Sequence, residues 1–154
     1  MALRPDNDVR ADDISFYCND TSSTRGGVAV LSTGASGVAL DNGSAVVTYA
    51  TDPSGKVPMG ILMQDMVNYD LTTREPNYFK DEVQTGGKVR LATQGWVVTD
   101  KIYPGVTPAA GDNAYVTTSG LFINSVTSNR HPLVGQFLSS KDEDGYAKVR
   151  FSLP

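Results

Sequence analysis

The segment Gly86-Gly87-Lys88-Val89-Arg90-Leu91-Ala92-Thr93-Gln94-Gly95-Trp96-Val97-Val98 is followed by a looser copy of itself, Gly111-Asp112-Asn113-Ala114-Tyr115-Val116-Thr117-Thr118-Ser119-Gly120-Leu121-Phe122-Ile123. Gly86, Thr93 and Gly95 match Gly111, Thr118 and Gly120 at a constant offset of 25 residues. Val89 and Leu91 fall on one face and Lys88 and Arg90 on the other, the period of two expected of a strand. Ala114 and Val116, set against Asn113 and Tyr115, repeat that pattern. Glycine at 95 and 120 frees φ where one strand turns into the next. The two copies therefore predict two hairpins of similar build. They are joined by the proline-bearing segment 103–110, where a residue without an N–H marks a turn or a sheet edge.

The same grammar extends outward. Short β-branched runs from Val28 onward are separated by Gly, Asn, Asp, Ser and Pro. Gly37-Val38-Ala39-Leu40 and Ala45-Val46-Val47-Thr48-Tyr49 flank Asp41-Asn42-Gly43, and Asn-Gly between apolar runs is a strong hairpin signal. The apolar stretch 57–67 is long enough for a helix, but Pro58 and Gly60 near its start favour a strand. Leu133 to Leu138 and Tyr146 to Phe151 predict a last hairpin turning at Lys141-Asp142-Glu143-Asp144-Gly145. No amphipathic helix of ten residues is evident. The expectation is an all-β fold, a small β-sandwich or β-barrel of short antiparallel strands.

Residues 1–27 differ in character. Asp6, Asp8, Asp12, Asp13 and Asp20 mix with Arg4, Arg10 and Arg25 without a period, and Ile14, Phe16 and Tyr17 are the only sizeable apolar cluster. This segment reads as an N-terminal arm preceding a β domain over 28–154, poorly able to fold alone. It is then either a frayed tail or an arm that orders on a partner with its aromatics as anchors. On the arm reading, deleting residues 1–25 leaves the fold intact. Residues 68–82 are a polar, aromatic connection whose Tyr69, Tyr78 and Phe79 pack on the body or face a partner. Ile14, Phe16, Tyr17, Tyr69, Tyr78 and Phe79 are thus the candidate contact residues.

Composition narrows the function. With a net charge of −4, and with Lys88, Arg90, Lys148 and Arg150 spaced singly along strands, the chain lacks the basic track that phosphate binding needs. No run has the apolar length of a signal peptide or a membrane span, which points to a protein made soluble in the cytoplasm. Cys18 is the single cysteine, so neither an intrachain disulfide nor a cysteine zinc site is expected. The single histidine, His131, precedes Pro132 and reads as a loop residue rather than a catalytic base. The acidic run at 142–144 lacks the spaced ligands of a calcium loop and reads as a solvated turn. No catalytic constellation, metal or cofactor is expected.

The arm, the strand Pro58-Met59-Gly60-Ile61-Leu62 and the paired glycine-bounded strands Gly86 to Gly95 and Gly111 to Gly120 together resemble phage head decoration proteins, also called capsid cement proteins. The likeness covers roughly residues 37–151. It implies a non-enzymatic virion protein on the outer surface of the expanded head. There it would sit as a homotrimer and bridge subunits of the major capsid protein, with no direct contact to nucleic acid or membrane. A tail, head-fibre or host-adhesion module is an alternative. So is a β-barrel that binds carbohydrate or oligonucleotide by stacking on Trp96, Tyr115 or Phe122.

Overall fold

A computed structural model describes residues 3–20, 23–35, 37–40, 42–65, 73–75, 82, 83, 85–126 and 131–154. Its strands are β1 (Leu3–Cys18), β2 (Ser23–Thr24), β3 (Val28–Thr33), β4 (Ala45–Thr48), β5 (Pro58–Asp65), β6 (Glu82–Val83), β7 (Lys88–Thr99), β8 (Asn113–Val116), β9 (Phe122–Ile123), β10 (Leu133–Phe137) and β11 (Ala147–Ser152). Among the described residues the only helical element is a 3-10 turn, Thr118–Gly120. The fold is all-β, as expected.

Nine strands form one sheet in the order β1-β4-β3-β5-β7-β11-β10-β8-β9, and β1 also pairs with β7. That extra pairing closes β1, β4, β3, β5 and β7 into a five-strand ring. Closure removes the edges of an open sheet. Two features depart from the expected short antiparallel strands. β1 and β7 are 16 and 12 residues long. The β1–β4 pair is parallel, with Phe16, Tyr17 and Cys18 opposite Ala45, Val46 and Val47.

β7 joins the two halves of the molecule. Val89 to Ala92 pair with β5, while Gln94 to Thr99 pair with β11 on that same side. β11, β10, β8 and β9 then extend as a second, antiparallel layer. On its other side β7 is followed by β1 from Leu3–Thr99 to Tyr17–Lys88, with four register shifts. Most of the segment read as an arm, Leu3–Cys18, is thus a strand of the sheet, the longest among the described residues. It binds by backbone pairing, so its charged, aperiodic side chains gave no strand signal. Leu3, Phe16 and Cys18 are its buried residues.

Two apolar clusters fill the fold. Phe16, Cys18, Ala29, Ala45, Val47, Leu62, Val89 and Leu91 pack together inside the ring. Val28, Ile61, Met63 and Ala92 join Val97, Phe122, Phe137, Val149 and Phe151 between the ring and the second layer. Ile61, Leu62 and Met63 therefore alternate between two cores. This explains why the run around them is continuously apolar: a strand covered on both faces loses its alternation. Phe122 and Phe137 meet edge to face, with centroids 6.3 Å apart.

The repeat divides. Its second copy is a hairpin, with β8 and β9 pairing Tyr115 to Ile123 and Val116 to Phe122 around the 3-10 turn. The first copy is not. Gly95 lies within the continuous β7 at φ +138°, where the carbonyl of Asp8 in β1 occupies the space a Cβ would need. The glycine serves close strand approach, not reversal. The Asn-Gly hairpin is also absent. Residues 37–40 are not a strand: the N–H groups of Asn42 and Gly43 both donate to the Ala39 carbonyl, and β4 pairs with β3 instead. The last hairpin is present as β10 and β11, its turn held by Asp142, which accepts N–H groups from Asp144 and Tyr146.

Tyr49 ties the end of β4 to the rest. Its hydroxyl accepts from the Gly27 N–H at 3.0 Å and donates to the Thr24 carbonyl at 2.6 Å. Desolvation of that enclosed hydroxyl pushes its pKa well above the ordinary 10, outweighing the Gly27 N–H, which favours the anion. The sign follows: the unfolded chain loses this proton near pH 10 and the folded chain keeps it, so stability falls as pH rises above about 10. Urea titrations between pH 8 and 11 should show this decline, and Tyr49→Phe should flatten it. Because the variant also leaves the Gly27 N–H without its acceptor, it should lose about 1–3 kcal/mol at pH 8.

Candidate functional site

Several exposed apolar residues lie on the ring strands and their loops, among them Val57 before β5 and a group near the β1–β4 pairing. Ile14 is 48% exposed at the approach to that pairing. Two residues on, Phe16 turns inward and Tyr17 outward, so the same short run supplies a core side chain and a surface ring. Beside them the loop after β3 carries Val38, 47% exposed, and Leu40, 82% exposed.

The loop is fastened to β1. The Ser44 N–H donates to the Ser15 carbonyl at 2.6 Å, and the two serine hydroxyls bond at 3.0 Å. Gly43 lies so close to the Tyr17 ring that a Cβ would overlap it. Tyr17, Thr33, Val38 and Val46 line a groove of about 410 Å³ between strand and loop. Leu40 is therefore held out by a backbone anchored on both sides. An exposed leucine alone is ordinary; here it shares with Val38 a loop fastened to β1.

The six candidate contact residues separate. Ile14 is exposed on β1, and Tyr17 lines the groove with Val38. Phe16 does not reach solvent: at 7% exposure it fills the ring core opposite Ala45 and Val89. Tyr69, Tyr78 and Phe79 lie outside the described residues. Val38 and Leu40 escaped the sequence reading because Asn42-Gly43 promised a hairpin whose first strand would contain them. The signal that points to them is the pile of turn formers on both sides, Ser32-Thr33-Gly34 and Asp41-Asn42-Gly43, which suits a loop better than a paired strand.

The groups considered for chemistry have structural positions. His131 donates from Nδ1 to the Val116 carbonyl at 3.1 Å. Cys18 is buried in the ring. The acidic turn is partly neutralised by Arg4, which reaches Asp144 at 2.6 Å and Asp142 at 3.9 Å and lies over the Tyr146 ring. Of the three aromatics considered for stacking, Phe122 is fully buried, while Trp96 and Tyr115 are partly exposed.

Compared with known proteins, the chain matches a phage family model described as structural cement protein (E217 gp24/Pam3 gp6) over residues 6–152. No curated protein matches it.

Proposed function

This chain belongs to the phage structural cement protein family, and on that premise we propose that it binds the outer surface of the expanded head and bridges subunits of the major capsid protein. The family places it among structural components of the phage capsid. The finer reading is supported by the exposed apolar side chains Ile14, Val38 and Leu40 and the groove lined by Tyr17 and Val38, carried on β1 of the closed ring and the loop fastened to it, which have the chemistry of a docking surface. The protein acts as a homotrimer. Three copies joined on one particle make each further contact intramolecular, so weak individual contacts add to strong attachment.

Leu40→Asp tests the patch. The residue is 82% exposed, so the fold should survive. The charge would have to be buried unpaired on docking. Sedimented with expanded heads that lack the protein, the variant should bind at least about tenfold more weakly than the wild type. Equal binding would remove the patch from the contact.

A further inference from the structure

The outer face of the second layer carries a chemistry that the apolar patch lacks. In β7 and β11 the residues alternating with buried Val97, Val149 and Phe151 are Trp96, Lys148 and Arg150. Strand register sets them in a row: Trp96 stands opposite Arg150, Arg150 opposite Gln136, and Gln136 opposite Asn113. Each is held in place. The Lys148 ammonium lies 3.6 Å from the centroid of the Trp96 ring. The Arg150 guanidinium donates to Gln136 Oε1 at 2.8 Å, and Gln136 Nε2 donates to the Gly111 carbonyl at 3.0 Å. Leu133, opposite Tyr115 and 56% exposed, extends the face on the far side.

The charge of this face opposes that of the molecule. Asp8, the neighbour of Trp96 in β1, is paired with Arg10 at 3.1 Å. Asp112, beside Asn113, is engaged by the Ala109 N–H and the Asn124 amide at the far end of the row, so Lys148 and Arg150 set the sign around Trp96, in a chain whose net charge is −4. Tryptophan, tyrosine and arginine are the side chains that dominate binding energy at protein interfaces. An arginine and a lysine pre-positioned by neighbours offer charge-assisted bonds to carboxylates with little ordering cost.

We propose that this face, centred on Trp96 and Arg150, docks an acidic surface of the capsid shell protein. The inference rests on the capsid reading above and deepens it. A single contact attaches a protein, whereas two contacts of different chemistry, one apolar at the ring and one cationic on the second layer, let one chain hold two neighbours. Nucleic acid fits the face less well, because two cations release too few counterions to bind a phosphate backbone tightly.

The test uses Arg150→Glu and Lys148→Glu, singly and together, with melting curves to verify folding. Expanded heads lacking the protein are titrated with each across a salt series. The wild type should bind, with affinity falling as salt rises. The double variant should bind at least about tenfold more weakly, with a shallower salt dependence. Equal binding of the double variant and the wild type would overturn the proposal and leave the capsid reading standing. Failure of the wild type itself to bind heads would overturn the capsid reading, and the docking claim with it. Binding of the wild type to a duplex DNA probe in the same buffer, lost on charge reversal, would assign the face to nucleic acid and also overturn the proposal.

Discussion

Deleting residues 1–18 is expected to abolish cooperative folding. β1 closes the ring, since among the described residues it alone pairs with both β4 and β7. Removing it exposes the edges of both and takes Leu3 and Phe16 out of the two cores. Truncating a buried leucine or phenylalanine to alanine costs about 2–5 and 3–5 kcal/mol respectively. Together these rival the whole stability of a typical domain, about 5–15 kcal/mol, before the lost backbone pairing is counted. Far-ultraviolet circular dichroism and Trp96 fluorescence in urea should show no sigmoidal transition. A two-state transition at the wild-type midpoint would mean that the segment is an expendable arm and that the rest of the fold stands without it. Phe16→Ala gives a milder version, with an expected loss of about 3–5 kcal/mol.

Gly95→Ala should be among the most damaging single-methyl additions. Gly95 sits at φ +138°, a conformation that a side chain rarely adopts. A Cβ there would overlap the Asp8 carbonyl oxygen and lie 3.0 Å from the Asp8 carbonyl carbon and 3.1 Å from Val9 Cα. These are backbone atoms and cannot swing aside, so β1 would have to leave β7. The expected loss is about 3–5 kcal/mol, the upper end for point substitutions. Gly111→Ala is the control. Gly111 also has positive φ, +98°, but nothing lies within 4 Å of its added Cβ. Only backbone strain of about 1–2 kcal/mol applies there. Equal losses at 95 and 111 would show that strand crossing contributes nothing at Gly95.

These two sites also show what could be read from the sequence. Alternation within β7 and β8 was legible, because Val89, Leu91, Ala114 and Val116 do turn inward while Lys88, Arg90, Asn113 and Tyr115 do not. The final hairpin was legible from its turn. Ring closure was not, because it depends on which distant strands pair, and short runs do not encode register. β1 was hidden most completely. Its middle is charged, four register shifts destroy its period, and charges and bulges along a strand are themselves a guard against unwanted pairing. Gly95 was recognised as a special position, but the same residue type serves a turn and a close crossing. Of the candidate surface, Ile14 and Tyr17 stood out as apolar residues in a polar segment. Phe16 stood out equally and belongs to the core, because alternation in a strand sends neighbours to opposite faces.

The two surfaces have different dependences on conditions. Binding through Leu40 and Val38 is apolar and should persist in salt, whereas binding through Arg150 and Lys148 should weaken as charges are screened. A shell held by both would loosen in stages as salt rises. The bridging role itself is read most directly from the shell. Expanded heads lacking the protein, heads saturated with the wild type and heads incubated with Leu40→Asp should be heated together, with release of packaged DNA followed by dye fluorescence. The wild type is expected to raise the release temperature, and Leu40→Asp to leave it near that of bare heads. Saturating wild-type binding with no change in release temperature would contradict the account, for the protein would then coat the shell without cementing it.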